Sequence, residues 1–196
     1  MEYFYSYGFH SSIKCETYQK LCAGLRLNPI ELSYDNGGDF QTNLTRLCNQ
    51  LTTYINERKI SSFGFIGNSL GAFYLSQLTF LANDSKDSIP LPKKLIMFNP
   101  VVTPLTQLRK YADKIQINTT TSESFAFPLC SLESYKEARL PSAQLTQNTE
   151  CFVCLGINDE LIDINDTQRY WHNYARIITF EGGHKVKDFA PFREII

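Results

Sequence analysis

The sequence predicts an α/β fold built on about six mainly parallel strands with helices on both faces. Three observations carry that expectation. Along 196 residues, short apolar runs of strand type alternate with longer stretches of helical period. Leu95-Ile96-Met97-Phe98 and Cys151-Phe152-Val153-Cys154-Leu155 are continuously apolar, as strands covered on both faces must be. Between the apolar run Ser62–Ile66 and a helical pattern lies Gly67-Asn68-Ser69-Leu70-Gly71, a G-x-S-x-G turn that carries a strand into a helix. The chain is 43% hydrophobic and 20% charged, and residues 1–196 are read as one compact domain.

Taken in order, the first strand is Tyr3 to Tyr5, and the loop Tyr7-Gly8-Phe9-His10-Ser11-Ser12 follows it. A helix is predicted from about Cys15 to Gly24, and a short strand from Ile30 to Ser33. Phe40, Leu44, Leu47, Leu51 and Ile55 fall on one face of the next helix. The elbow strand and its helix come next, with Tyr74, Leu75, Leu78, Leu81 and Ala82 at helical spacing. A helix from Pro104 to Ala112 follows the Leu95–Phe98 strand. Residues 113–149 break the rhythm. They are rich in Thr, Ser and Gln, with a short helical patch near Leu132 to Leu140, and are read as either a lid-like insertion or a floppy excursion, which composition alone does not decide. Regular order returns with a strand at Cys151–Leu155, a helix at Asp166–Tyr174, a strand at Arg176–Phe180 and a closing helix at Lys187–Ile195.

Composition excludes several functions. The net charge is −1 and no lysine–arginine run occurs, so neither nucleic acid nor an anionic membrane is an expected partner. The opening residues lack a basic segment and an apolar core of secretory type, which makes a cytoplasmic location and reduced thiols the expectation. No charged residue occurs from Ile60 to Asn83, a length that could cross a bilayer. However, this stretch holds many polar and glycine residues and changes period in its middle, as a buried strand–turn–helix does. Cys151 and Cys154 have redox spacing, but they fall within a predicted buried strand rather than at a helix start.

The turn around Ser69 directs the chemistry. It lifts the hydroxyl clear of the backbone, beside the free N–H groups of a helix N-terminus. A serine hydroxyl needs a base to become a nucleophile. Of the three histidines, His172 lies within a helix and His10 in the first loop. His184 follows Glu181-Gly182-Gly183 just past the last strand, and is the best-placed base. Asp159, in Asn158-Asp159-Glu160 after the preceding strand, is the expected carboxylate partner. Glu160, Asp163 and Asp166 are neighbours that could substitute. Backbone N–H groups of Leu70 and Phe9 are the expected oxyanion donors. His10, Phe125 and Phe127 are candidates for substrate contact, and Phe73 and Leu129 could join them.

Taken together, these residues resemble the small bacterial α/β-hydrolases of the YqiA/YcfP type. The resemblance runs through Tyr5–Ser12, Gly67–Gly71, Phe98-Asn99-Pro100, Asn158-Asp159-Glu160 and Glu181–His184. Tyr7 stands where that group usually has histidine, and Ala72 where a glycine is common. The resemblance implies a compact α/β-hydrolase fold. It also implies hydrolysis of short-chain carboxylic esters by Ser69, Asp159 and His184, without a metal or organic cofactor. The expected partner is a small-molecule ester or thioester. Thioesterase or acyltransferase action by the same residues, and a non-catalytic binding scaffold, remain open alternatives.

Overall fold

The computed structural model describes residues 1–84 and 89–196. In chain order the elements begin β1 (Glu2–Ser6), α1 (Glu16–Leu25), β2 (Ile30–Glu31), α2 (Phe40–Arg58), β3 (Phe63–Asn68) and α3 (Leu70–Asp84). Then come β4 (Lys94–Phe98), α4 (Pro104–Gln107), β5 (Lys114–Ile117), β6 (Ser124–Phe127), α5 (Leu129–Glu133) and α6 (Leu145–Asn148). The last elements are β7 (Glu150–Gly156), α7 (Ile164–Trp171), β8 (Arg176–Phe180) and a 3-10 segment, Ala190–Ile195.

Six strands form one sheet in the order β2-β1-β3-β4-β7-β8, and every neighbouring pair is parallel. All six carboxyl ends therefore lie on one rim. The chain steps from β1 to β2 in one direction, then returns past β1 to β3 on the other side. Right-handed crossovers put α1 and α2 on opposite faces as a result. The side chains agree. Tyr5 meets Tyr18 of α1 at 5.0 Å between ring centroids, while Phe4 meets Tyr54 of α2 at 6.2 Å. The Ala190–Ile195 segment covers the α1 face, with Phe189 and Phe192 against Phe98.

The helix α3 is buried on nearly every side, because the 129–148 segment covers the flank turned away from the sheet. Its polar residues are satisfied locally. Thr79 donates to the Leu75 carbonyl at 2.8 Å, and Gln77 exchanges hydrogen bonds with the Arg139 backbone at 2.7 and 3.1 Å. Among the described residues, no helix is long and apolar enough to cross a membrane.

Two expected helices take another form, and one element was not expected. The closing helix does not begin at Lys187, because Pro191 has no N–H to donate and its ring crowds the carbonyl four residues back. A 3-10 segment forms from Ala190 instead. The helix expected over Pro104–Ala112 splits into α4 and a 3-10 turn, Arg109–Tyr111, with the Gln107 side chain folded back onto the Val102 and Thr103 amides. The 113–149 segment contains an antiparallel hairpin, β5–β6, that the sequence reading did not foresee. Its strands are four residues each, and Ile115 and Ile117 are 72% and 61% exposed, so burial leaves no clear signal.

Candidate active site

The order of the strands reverses between β1 and β3, and the crevice outside their carboxyl ends is where open α/β sheets bind ligands. Ser69 leaves β3 at that point with φ +54°, a left-handed conformation costing about 1–3 kcal/mol for a residue with a side chain. The flanking glycines are needed for close approach. A Cβ on Gly67 would sit 2.4 Å from the Ala72 Cα, and one on Gly71 would sit 2.3 Å from the Tyr7 carbonyl oxygen. The first turn of α3 is thereby pressed against the loop that leaves β1.

Three side chains from distant parts of the chain join in one hydrogen-bonded line. His184 Nε2 lies 3.0 Å from Ser69 Oγ, and His184 Nδ1 lies 2.9 Å from Asp159 Oδ2. A carboxylate only accepts, so Nδ1 carries the proton and Nε2 offers its lone pair to the serine hydroxyl. Ser69 is 7% exposed, His184 9%, and the Asp159 side chain 3%. Burial works to raise the Asp159 pKa. The hydrogen bond and charge of His184, with the Leu161 and Ile162 amides, outweigh it and hold the carboxyl below its ordinary value.

The neighbouring acids have other partners. Glu160 accepts the His184 backbone N–H at 3.0 Å. Asp163 caps α7 by accepting from Asn165 and Asp166, and Asp166 pairs with Arg169. Asn99 is a bracket whose part the sequence reading missed. It is fully buried at φ +45°. Its amide donates to the His184 and Gly183 carbonyls at 2.9 and 3.2 Å, and its oxygen accepts the Gly156 N–H at 2.8 Å. The signal was an Asn-Pro pair closing a buried strand.

Phe9 follows Gly8, where an added Cβ would sit 3.1 Å from the Ser69 Cβ. No backbone acceptor among the described residues takes the Phe9 or Leu70 N–H outside regular elements. A cavity of about 570 Å³ opens over Ser69 and His184, with Phe9, His10, Leu108 and Tyr111 on its walls. Phe125 and Phe127, expected at the substrate, do not line it. Two residues apart on β6, they share a face and pack edge-on behind Phe9, at 5.7 and 5.3 Å between centroids. Phe9 is the ring that meets the cavity. Phe73 packs between Phe40 and Tyr135, away from the site. His172 is exposed at the end of α7, and burial of the Cys151 thiol raises its pKa to about 12.

Solved structures resemble this chain in fold. Est1E from Butyrivibrio proteoclasticus, solved with ferulic acid bound, superposes with a TM-score of 0.70 at 12% identity, over 98% of this chain and 86% of that one. The esterase domain of a Rhodothermus marinus protein gives 0.65 at 12% identity, over 99% and 83%. Alpha/beta hydrolase domain-containing protein 10 from mouse gives 0.62 at 14% identity, over 99% and 86%. No curated protein matches the sequence. The sheet order, the elbow and the rim loops fit the α/β-hydrolase architecture. Residues 2–196 match the family described as "Uncharacterised protein family (UPF0227)", so the chain belongs to that family, the YqiA/YcfP-type group its motifs resemble.

Proposed function

We propose that this protein is a serine esterase that cleaves small carboxylic esters through an acyl-enzyme. The observation that carries the reading is the unbroken line from Ser69 Oγ through His184 to Asp159, at the floor of a cavity on the switch-point rim. His184 Nε2 takes the hydroxyl proton as Oγ attacks the acyl carbon. The imidazolium is stabilised by Asp159, which stays ionised. The N–H groups of Phe9 and Leu70 hold the developing oxyanion. His184 then gives its proton to the leaving alcohol, and a water activated by the same imidazole releases the acid. Every step uses protein groups and water. The apolar walls at Phe9, Leu108 and Tyr111 suit the acyl group.

The test is hydrolysis of p-nitrophenyl acetate and butyrate by the wild type and Ser69→Ala. The reading expects turnover to vanish in a variant that keeps its fold. Activity retained in that variant defeats it. Labelling by a fluorophosphonate separates an enzyme, which reacts at Ser69, from a binding scaffold, which stays unlabelled.

One observation favours a thioesterase as the second reading. Lys14, Lys110 and Lys185 line the cavity, and none belongs to an ion pair among the described residues. Glu16 on the same wall is paired with Lys20 at 2.7 Å. Such a mouth suits a leaving group bearing phosphates. Acyl-CoA hydrolysis measured beside p-nitrophenyl butyrate hydrolysis decides between the two.

A further inference from the structure

We propose that the β5–β6 hairpin is a strap that positions the Phe9 amide, and not a lid that opens to admit substrate. The inference rests on the reading of Phe9 N–H as an oxyanion donor. The loop leaving β1 is anchored at Tyr7 by the first turn of α3 and the Tyr34 hydroxyl, but at Phe9–Ser11 it depends on Asn36 and on the hairpin. Gly8 precedes Phe9, and His10 follows at φ +61°, a strained conformation for a residue with a side chain. Without support, His10 would relax to negative φ and turn the neighbouring peptides with it.

The hairpin supplies that support at consecutive residues. Thr119 donates to the His10 carbonyl from both its N–H, at 2.8 Å, and its hydroxyl, at 2.9 Å. The Asn118 amide donates to the Ser11 carbonyl at 2.9 Å. Gln116 Oε1 accepts from His10 Nε2 at 3.0 Å, and its own amide is fixed by the Tyr111 carbonyl at 2.9 Å. The Phe9 ring is gripped by Tyr111, Phe125 and Phe127. On the far side, Asn36 Oδ1 accepts the His10 N–H at 3.0 Å. A lid must leave the site at each turnover. This segment is instead bonded to the loop beside the donor, so its release would misplace the Phe9 N–H.

Asn118 is the sharpest probe, because it is buried and does not line the cavity. Its Oδ1 organises the hairpin turn by accepting the Thr120 and Thr121 N–H groups. Asn118→Asp keeps those bonds, removes the donor to Ser11 and sets a carboxylate oxygen against that carbonyl. Thr119→Val removes one hydroxyl from an exposed position at the cavity wall, and Thr119→Ser restores it without the added methyl.

Losing an oxyanion donor outright costs about a hundred- to a thousandfold, so each single variant should lower kcat about tenfold and the pair about a hundredfold. KM for p-nitrophenyl acetate should stay within about twofold, since ground-state binding does not use the donor. Affinity for a trifluoromethyl ketone, which forms an oxyanion on Ser69, should fall with kcat/KM, and Thr119→Ser should recover both. Folded variants with wild-type kcat overturn the strap. A rise in KM at constant kcat overturns it too, and makes the hairpin a substrate wall. If the pair unfolds, Thr119→Val alone decides by the same readouts. Ser69→Ala run in parallel keeps the two ideas apart. Activity that survives there sinks the serine reading. Activity that needs Ser69 but ignores Asn118 and Thr119 sinks the strap alone.

Discussion

Replacing Asn99 by alanine should both destabilise the protein and slow its chemistry. The residue is fully buried, and its side chain pairs three backbone groups: the His184 and Gly183 carbonyls and the Gly156 N–H. Leaving a buried backbone group unpaired costs about 1–3 kcal/mol. The space vacated by the amide can admit a water, so the lower end applies, giving about 3 kcal/mol for the three groups. Asn99 also holds φ +45°, which asparagine tolerates better than alanine, adding about 1 kcal/mol. The expected loss is about 4 kcal/mol. With a urea m-value of about 2 kcal/mol per M, the midpoint should fall by about 2 M at unchanged m. The same change frees the loop that carries His184. A misplacement of about 1 Å at the base should lower kcat about a hundredfold, with KM little moved. Urea titration followed by circular dichroism, and ester hydrolysis by the same preparation, test both parts. A midpoint shift under about 0.5 M would show that Asn99 is not the bracket described.

Two further outcomes follow from the same geometry. Gly71→Ala would drive a Cβ to 2.3 Å from the Tyr7 carbonyl oxygen, against backbone that cannot step aside. The expected cost is about 3 kcal/mol or more, a fall of about 6–12 °C in thermal midpoint, and an unchanged midpoint refutes the packing argument. Asp159→Asn should lower kcat about ten-thousandfold by losing the charge that fixes the His184 tautomer. Its effect on stability depends on pH with a defined sign. The folded-state pKa lies below the ordinary 3.8, so the ionised group stabilises above that value and its contribution fades as pH falls through the folded pKa. The wild type should therefore exceed the variant in stability at neutral pH, with the gap closing in strong acid. A gap that widens on acidification contradicts the assigned shift.

Much of this architecture is legible from residue order. Apolar runs such as Leu95–Phe98 and Cys151–Leu155 demand cover on both faces, which only a parallel sheet with helices on each side supplies. Parallel strands bring every carboxyl end to one rim. Ser69, Asp159 and His184 each follow a strand, so their common location is implied before any coordinates. Pairing is a different matter. Whether four residues such as Lys114–Ile117 form a strand depends on a partner at Ser124–Phe127, and neither segment carries enough burial to announce it.

The sequence by itself determined the sheet, the elbow and the candidate nucleophile, base and acid, because period and glycine placement are local properties of the chain. Tertiary structure alone decided that Asn99 would brace the His184 loop. It also decided that Glu160 would hold the His184 N–H rather than the ring, and that Phe9, not Phe125 or Phe127, would face the cavity. The physical reason is range. A hydrogen bond from Asn118 to Ser11 spans 107 positions of chain, and no pattern within either segment encodes its partner.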